Sequence, residues 1–450
     1  MTAVTPVRNP DVRSMAVMTR RAWWLVVLNF LVPGSAQVLA GNRRLGRFGL
    51  ASTLVFWALL VVSIVSVVVA HSVLFDIATN TVALTVVQVF LAFYAILWLV
   101  LTVDTLRLVR FVSLAPLARG LVAGLAVVVL VGTAGTAAYG SYLSSVQHGL
   151  LDTLFSSKKD VAAPVDGRYN VLLLGGDAGA DRTGLRPDSI SVASIDAETG
   201  QTTIIGIPRN LYNAPFRKGS PLYGPYPDGY TCGDDCLVSF LYTYGEAHES
   251  LYPRAKSEGS NAGIEAERDA IEGVTGLTIQ YYALIDMGGF VDLIDALGGI
   301  TVDVPYRIPI NGGMDANGQP INVDGWIEPG VQHLDGYHAL WFARARHGTD
   351  DYHRMARQRT VEQAVLAQFT PAKVLSKFQA VANAGTQVVK TDIPQGTLSE
   401  FVSLAVKAKS QKITDLEIVP PTYDNVHPDF AAIRAAVKKA TATSAAAAAK

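Results

Sequence analysis

Charged residues stand at the ends of apolar runs in the middle of this chain. Asp177 follows Leu172-Leu-Leu-Gly-Gly176, Arg186 and Asp188 precede a second run in Arg186-Pro-Asp-Ser189, and Arg209 follows a third in Ile207-Pro-Arg-Asn210. If the runs lie side by side as strands, the four groups converge at one sheet edge, and strand C-termini are where open α/β sheets place ligands. Two carboxylates with a basic group between them suit a hard cation such as Mg²⁺ or Mn²⁺, held by one or two carboxylates plus phosphate oxygens. A second cluster places five Arg between positions 344 and 359, in Ala343-Arg-Ala-Arg-His347 and Arg354-Met-Ala-Arg-Gln-Arg359, with Asp350 and Asp351 between them. Arg354 and Gln358 share a helix face with Arg357 beside them. Arg344 and Arg346 alternate, so they point the same way if extended. Guanidinium forks hold phosphate oxygens two at a time. The Arg run begins directly after Ala339-Leu-Trp-Phe-Ala343, which predicts a basic cleft with apolar walls, suited to a pyrophosphate carried on a lipid. Read singly, each of these residues is an ordinary loop charge or solvated helix face; the combination points to a site.

The elements that must position these groups read as layered α/β. Tyr169-Asn-Val-Leu-Leu-Leu-Gly175 has the form of a buried strand. Residues 189–195 and 202–207 are two more strands joined by a hairpin turn at Glu198-Thr-Gly-Gln201. Further on, the pattern predicts a helix over 260–274, strands over 281–285 and 300–304, and a helix over 289–297 ended by Gly298-Gly299. It then predicts a helix or strand over 336–343, a long helix over 351–369, further helices within 371–406 and a last strand over 416–420. The sheet is expected to be mixed, because hairpins and crossovers both occur. The expected domain spans 169–430, after a linker over 148–168 and before a flexible Ala-rich tail over 431–450. No P-loop, nucleophile-elbow or zinc-protease motif is present, and the glycine spacing in Leu174-Gly-Gly-Asp-Ala-Gly is not that of a dinucleotide fingerprint.

The first third has another composition. The chain has 450 residues, 17% charged and 50% hydrophobic, below the roughly 25% charge of soluble domains. Residues 1–150 hold ten Arg, no Lys and three acidic residues, which leaves 27 basic and 35 acidic residues for the rest. This excludes a single soluble domain, a disordered chain and a fibrous repeat. The acidic balance of the second part argues against a nucleic-acid surface. Uncharged stretches at 48–72, 80–103 and 120–142 reach the roughly 20 residues needed to cross a bilayer. The stretch 22–42 is interrupted by Asn29, Pro33, Gly34, Ser35 and Gln37. Arg20 and Arg21, then Arg43, Arg44 and Arg47, then Arg107, Arg110 and Arg119 all belong in the cytoplasm by the positive-inside rule. That requires 22–42 to enter and leave on one face, as a re-entrant or interfacial element. Three spans then follow a cytoplasmic N-terminus at 1–21, and the large C-terminal part lies outside. A four-span reading would strand one Arg cluster outside. Cys232 and Cys236 then lie in an oxidising compartment, where two near thiols pair as a disulfide.

Taken together, Leu174-Gly-Gly-Asp177, Arg186-Pro-Asp-Ser189, Pro208-Arg-Asn210, Asp295-Ala-Leu-Gly-Gly-Ile300, Phe342-Ala-Arg-Ala-Arg-His347 and Arg354-Met-Ala-Arg-Gln358 resemble the LytR-CpsA-Psr phosphotransferases of bacterial cell envelopes. The likeness covers most of 165–370 and weakens towards 430. It implies a membrane enzyme with an extracytoplasmic catalytic domain. Such an enzyme moves a glycopolymer with one phosphate from a polyprenyl-pyrophosphate carrier to a peptidoglycan hydroxyl. By position, it implies that Asp177 and Asp188 hold Mg²⁺. Arg186, Arg209, Arg344, Arg346, Arg354, Arg357 and Gln358 are then expected to hold the pyrophosphate, and Asp351 to act as base. Asn210 departs from the family's usual Asp after Pro-Arg, Pro187 and Ser189 replace Ser and Thr, and several membrane segments replace a single anchor. The rival expectations are a non-catalytic sensor of polyprenyl pyrophosphates and a pyrophosphatase using water.

Overall fold

The computed structural model describes residues 7–69, 77–154, 161–177, 186–315, 319–346, 350–368, 389–409 and 411–442, in two units that divide at Gly149 and Leu150. The first unit is helical: α1 (Met15–Leu31), α2 (Ser35–Ala40), α3 (Arg43–Val69), α4 (Thr81–Val109) and α5 (Pro116–Leu130), which passes through a π-helical turn into α6 (Thr136–Leu154). Three helical stretches, Arg43–Ser66, Thr81–Val109 and Pro116–Gly149, are long and apolar enough to cross a membrane. They run past the expected span limits because the helices continue beyond the uncharged core of each stretch. The stretch 22–42 breaks where its polar residues predict. Gly34 takes a left-handed conformation between α1 and α2 (φ +96°), and a Cβ there would come within 2.5 Å of the Leu50 nitrogen. The freed carbonyl of Pro33 accepts from Thr53 at 3.0 Å. Asn29 donates to Thr102 at 3.2 Å and Gln37 to the Leu101 carbonyl at 2.7 Å. A polar interruption is stable in an apolar unit only when neighbouring helices supply such partners.

The second unit is built on a six-stranded mixed sheet in the order β11-β4-β1-β2-β3-β12. Its strands are β1 (Arg168–Asp177), β2 (Arg186–Asp196), β3 (Thr202–Ile207), β4 (Tyr281–Asp286), β11 (Val389–Thr391) and β12 (Thr414–Glu417). The β1–β2 and β2–β3 pairs are antiparallel, and β4 runs parallel to β1. Alternate residues Leu172, Leu174, Ile190, Val192, Ile205 and Ile207 form one apolar face with Ile264, Ile271 and Val274. Between β3 and β4 the chain forms α7 (Leu241–Ala247) and α8 (Ala262–Thr275), which carries the last three of these residues.

A second core joins α9 (Met287–Leu297), α10 (Gly336–Arg344) and α11 (Asp351–Gln368) to the short strands β5 (Ile300–Val304), β6 (Ile308–Ile310), β9 (Gly325–Ile327) and β10 (Gly330–Leu334), while β7 (Gly313–Met314) and β8 (Pro320–Ile321) form an exposed pair outside it. Asp286 and Asp335 cap α9 and α10 with their side chains, and Asp295 accepts from the Gly336 nitrogen at 2.7 Å, which ties the two helices together.

Several expectations are corrected. The first ten residues of the expected flexible tail, 431–440, belong instead to a helix, α13 (Phe430–Ala440), with Ile433 and Val437 buried and Arg434 bonded to the Gly273 carbonyl at 2.8 Å. Two large apolar residues four apart among alanines are enough for one buried stripe. The expected linker is helical as far as Leu154, and residues 389–391 form an edge strand rather than a helix; α12 (Leu398–Ala408) is the described helix of that region. The last strand begins two residues earlier than its apolar run suggests, and Ile418, just past its end, is buried in the core.

Candidate active site

The centre forms where β2, the end of β3, the turn after α10 and the first turns of α11 meet. The β1–β2 register shifts between Gly175 and Gly176, opposite Pro187, which has no N–H to continue the ladder. Asp188 follows at this irregularity. Its Oδ1 accepts from Arg209 Nη1, and its Oδ2 lies 3.8 Å from Arg346 Nη2. Asp351, in the first turn of α11, accepts at Oδ2 from Arg209 Nε and Arg354 Nη2, both at 3.1 Å, while its Oδ1 is 3.6 Å from Arg346 Nε. Arg354 also donates to the Asp188 carbonyl at 3.2 Å. Three guanidiniums therefore surround two carboxylates, with Arg209 bridging them.

The electrostatics follow from this crowding. Burial alone would depress the Arg209 guanidinium, but the facing carboxylates of Asp188 and Asp351 outweigh it and hold it above its ordinary value. Arg354, only 2% exposed, is pushed down to about 10, first by burial and then by the neighbouring Arg346 and Arg209 against the pull of Asp351. A guanidinium keeps its proton near neutral pH, so Arg354 remains a cation despite its burial. Gln358, one turn beyond Arg354, has a buried Oε1 without a hydrogen-bond partner, as does Arg354 at Nε.

Of the other expected residues, Arg186 is exposed and lies over the Phe240 ring at 5.0 Å, and Arg344 is exposed over Trp341 at 5.0 Å. Asp177 pairs with Arg186 through the backbone; its side chain, like His347, lies outside the described residues. Arg357 is a correction. It is buried and donates to the Phe342 and Ala345 carbonyls and the Tyr306 hydroxyl. These carbonyls belong to the end of α10, where the helix leaves acceptors unused, so Arg357 closes a helix terminus and does not join the centre.

Sequence reasoning missed the bonds that tie the neighbours of Asp351 and Arg209 in the chain to each other. Tyr352 donates to Asn425 Oδ1 at 2.9 Å and meets the Asn210 side chain, and Asn425 donates to the Asn210 carbonyl at 3.2 Å. The Asn210 departure from the family pattern was the available signal; Asn425, more than 200 residues away in sequence, gave none. The Cys232–Cys236 disulfide closes the loop that precedes Ser239, whose nitrogen bonds to the Arg209 carbonyl at 3.1 Å.

For a divalent cation, the donor set fits in kind. Asp188 offers a hard oxygen, Oδ2, which lies 3.8 Å from Arg346 Nη2, beyond hydrogen-bond distance, and Mg²⁺ needs only one or two carboxylates when phosphate completes its shell. Among the described residues no group of three His, Cys, Asp or Glu is arranged to hold a metal alone.

The chain thus joins an α/β domain that carries an arginine-rich centre to a helical unit with three helices long and apolar enough to cross a membrane. The LytR_cpsA_psr family model matches residues 147–443, and the chain belongs to that family. It is 26% identical over 316 residues to the polyisoprenyl-teichoic acid–peptidoglycan teichoic acid transferase TagU of Halalkalibacterium halodurans, covering 68% of this chain and 88% of TagU. It is 30% identical over 257 residues to the cell wall biosynthesis protein LcpA of Corynebacterium glutamicum, covering 50% of this chain and 45% of LcpA. The crystal structure of Bacillus subtilis TagV aligns over 62% of this chain and 98% of that one, at 21% identity and a TM-score of 0.44.

Proposed function

We propose that this protein transfers a glycopolymer with one phosphate from a polyprenyl-pyrophosphate carrier to a peptidoglycan hydroxyl during cell-wall assembly. The observation that carries the reading is the surplus of guanidinium at the centre: among the described side chains, Arg209, Arg346 and Arg354 face Asp188 and Asp351, and a pyrophosphate supplies further negative charge. The named activity of TagU points the same way.

Phosphoryl transfer is mostly charge neutralisation and in-line positioning. Arg346 and Arg354 hold phosphate oxygens, with Arg186, Arg344 and Gln358 around them. The acceptor oxygen attacks the phosphorus that bears the glycan, the bridging P–O bond breaks, and polyprenyl phosphate leaves. The hydroxyl proton passes to Asp351 Oδ1, since Oδ2 is occupied by Arg209 and Arg354. Asp188, with Asp177, would hold Mg²⁺ or Mn²⁺, which when bound neutralises phosphate charge. The catalytic domain lies outside the cytoplasm and residues 104–119 inside; a cytoplasmic signal from a reporter fused after Gly149, with one at Ser113 as control, would overturn that topology.

The test is turnover by the full chain in detergent, with a glycan-bearing polyprenyl pyrophosphate, Mg²⁺ and peptidoglycan fragments. Phosphodiester-linked product supports transfer. Release of glycan phosphate without an acceptor marks a pyrophosphatase, and binding without turnover marks a sensor. Asp351→Asn should slow transfer with donor affinity nearly unchanged; transfer at the wild-type rate would remove Asp351 as the base.

A further inference from the structure

Helix α10 turns an aromatic stripe outward that the phosphate chemistry does not use. Tyr337, Trp341 and Arg344 follow the spacing that puts residues on one helix face. Tyr337 is 44% exposed and Trp341 is only partly buried against the second core. Their rings meet edge-on with centroids 6.4 Å apart, and the Arg344 guanidinium covers part of Trp341 at 5.0 Å. The stripe ends at the centre, because Arg346, two residues past the helix, faces Asp188 and Asp351. At about 1.5 Å per residue the stripe runs roughly 10 Å from Tyr337 to Arg344, enough for a short run of sugar rings.

The groups beside the stripe choose between occupants. Asp335, which caps α10, is exposed and accepts from the His338 nitrogen at 2.9 Å and contacts its ring at 2.6 Å. The bonds from the His338 backbone and ring hold the Asp335 carboxyl below its ordinary range, so it is an anion. The His338 ring in turn meets Tyr337 at 5.6 Å. A carboxylate and an imidazole beside flat aromatic rings suit a saccharide, whose C–H faces stack on rings and whose hydroxyls bond to the polar groups. They do not suit a bilayer, where burying an exposed carboxylate is costly.

We propose that Tyr337 and Trp341 form the platform on which the first sugars of the donor glycan stack, with Arg344 at its phosphate end. This rests on the glycopolymer-transfer reading and adds a determinant of which polymer is accepted. The experiment measures binding to the full chain in detergent of two probes: a polyprenyl pyrophosphate bearing an N-acetylhexosamine disaccharide, and the same lipid without sugar. Trp341→Ala and Tyr337→Ala should weaken the sugar-bearing probe about threefold to tenfold and leave the sugar-free probe unchanged. Trp341→Phe should restore most of the loss. Equal weakening of both probes, or of neither, overturns the platform. So does quenching by brominated lipids, in nanodiscs, of the fluorescence that Trp341→Phe removes, because the stripe then faces the bilayer. Arg346→Ala should weaken both probes; if it weakens neither, the pyrophosphate reading fails, whatever the stripe does.

Discussion

Helix α11 carries two ion clusters of opposite balance. In its first turns, Asp351 and Arg354 join Asp188, Arg209 and Arg346, three guanidiniums to two carboxylates among the described side chains. Further along, the buried Arg359 pairs with Glu362 and lies 3.3 Å from Glu417, and Asp415 adds a third carboxylate to its surroundings. The second cluster relieves its surplus internally. Burial pushes the Glu362, Asp415 and Glu417 carboxyls upward, and Arg359 offsets this only in part. A surplus of acid can be met by binding protons. A surplus of guanidinium cannot be relieved that way near neutral pH, so it calls for an anion from outside. Sign of the surplus, more than the number of charges, separates a ligand site from a structural one on the same helix.

The sharpest way to break this contrast is to remove the arginine from each cluster. Arg359→Ala leaves three carboxylates without their cation and should destabilise the fold by about 3–5 kcal/mol, as loss of one partner of a buried pair does. Denaturant titration of the full chain measures it. Arg354→Ala should spare the fold but lose about 1.5–3 kcal/mol of charge-assisted contact, or roughly 10- to 150-fold in transfer. If Arg354→Ala unfolds the protein and Arg359→Ala abolishes only turnover, the two clusters have been assigned the wrong way round.

Much of this was legible in the sequence, for reasons that differ by residue. The runs that became β1, β2 and β3 are apolar because they form the centre of the sheet, so both they and the charges at their ends stood out. Arg354 and Arg357 are three apart and identical in type, and no pattern told which one faces the centre; the free carbonyls at the end of α10 decide it, and they exist only once α10 and α11 pack. The three-residue β11 has too few side chains to show a period. Helix α13 was hidden by alanine, which marks neither a core nor a loop. The Asn425 contact joins segments far apart in the chain, and a single sequence holds no record of it.

The acidic cluster also makes stability depend on pH. The folded-state pKa values of Glu362, Asp415 and Glu417 lie above their unfolded values, so the folded protein binds more protons. The stabilisation is complete below about pH 4 and is lost as pH rises through the folded values. Glu267, buried in the main core, acts with the same sign, because burial pushes its carboxyl well above 4.5 and the Tyr242 backbone offsets this only in part. Unfolding free energy should therefore fall from pH 5 to pH 8. Glu417→Gln, which keeps the shape and removes one charge, should raise stability at pH 8 by roughly 1 kcal/mol with little effect at pH 4. A loss at pH 8 would mean that the Arg359 pair outweighs desolvation.

The smallest effect expected is at Tyr352, and it tests how the first cluster keeps its geometry. Asp351 is held from one side by guanidiniums that must also bind substrate, so a neutral support has value: it does not compete for the phosphate. Tyr352 supplies it through Asn425 and Asn210, and burial holds its hydroxyl above the ordinary value, so it remains a donor across the working pH range. Tyr352→Phe removes one neutral hydrogen bond, worth about 0.5–1.5 kcal/mol. Transfer should fall about twofold to tenfold in kcat, with donor KM and melting temperature nearly unchanged. Asn425→Ala should give a similar loss, and the double variant little more, since both act through one network. Additive losses would show that the two residues act separately, and a rise in KM without a fall in kcat would place Tyr352 on the substrate instead of beneath the base.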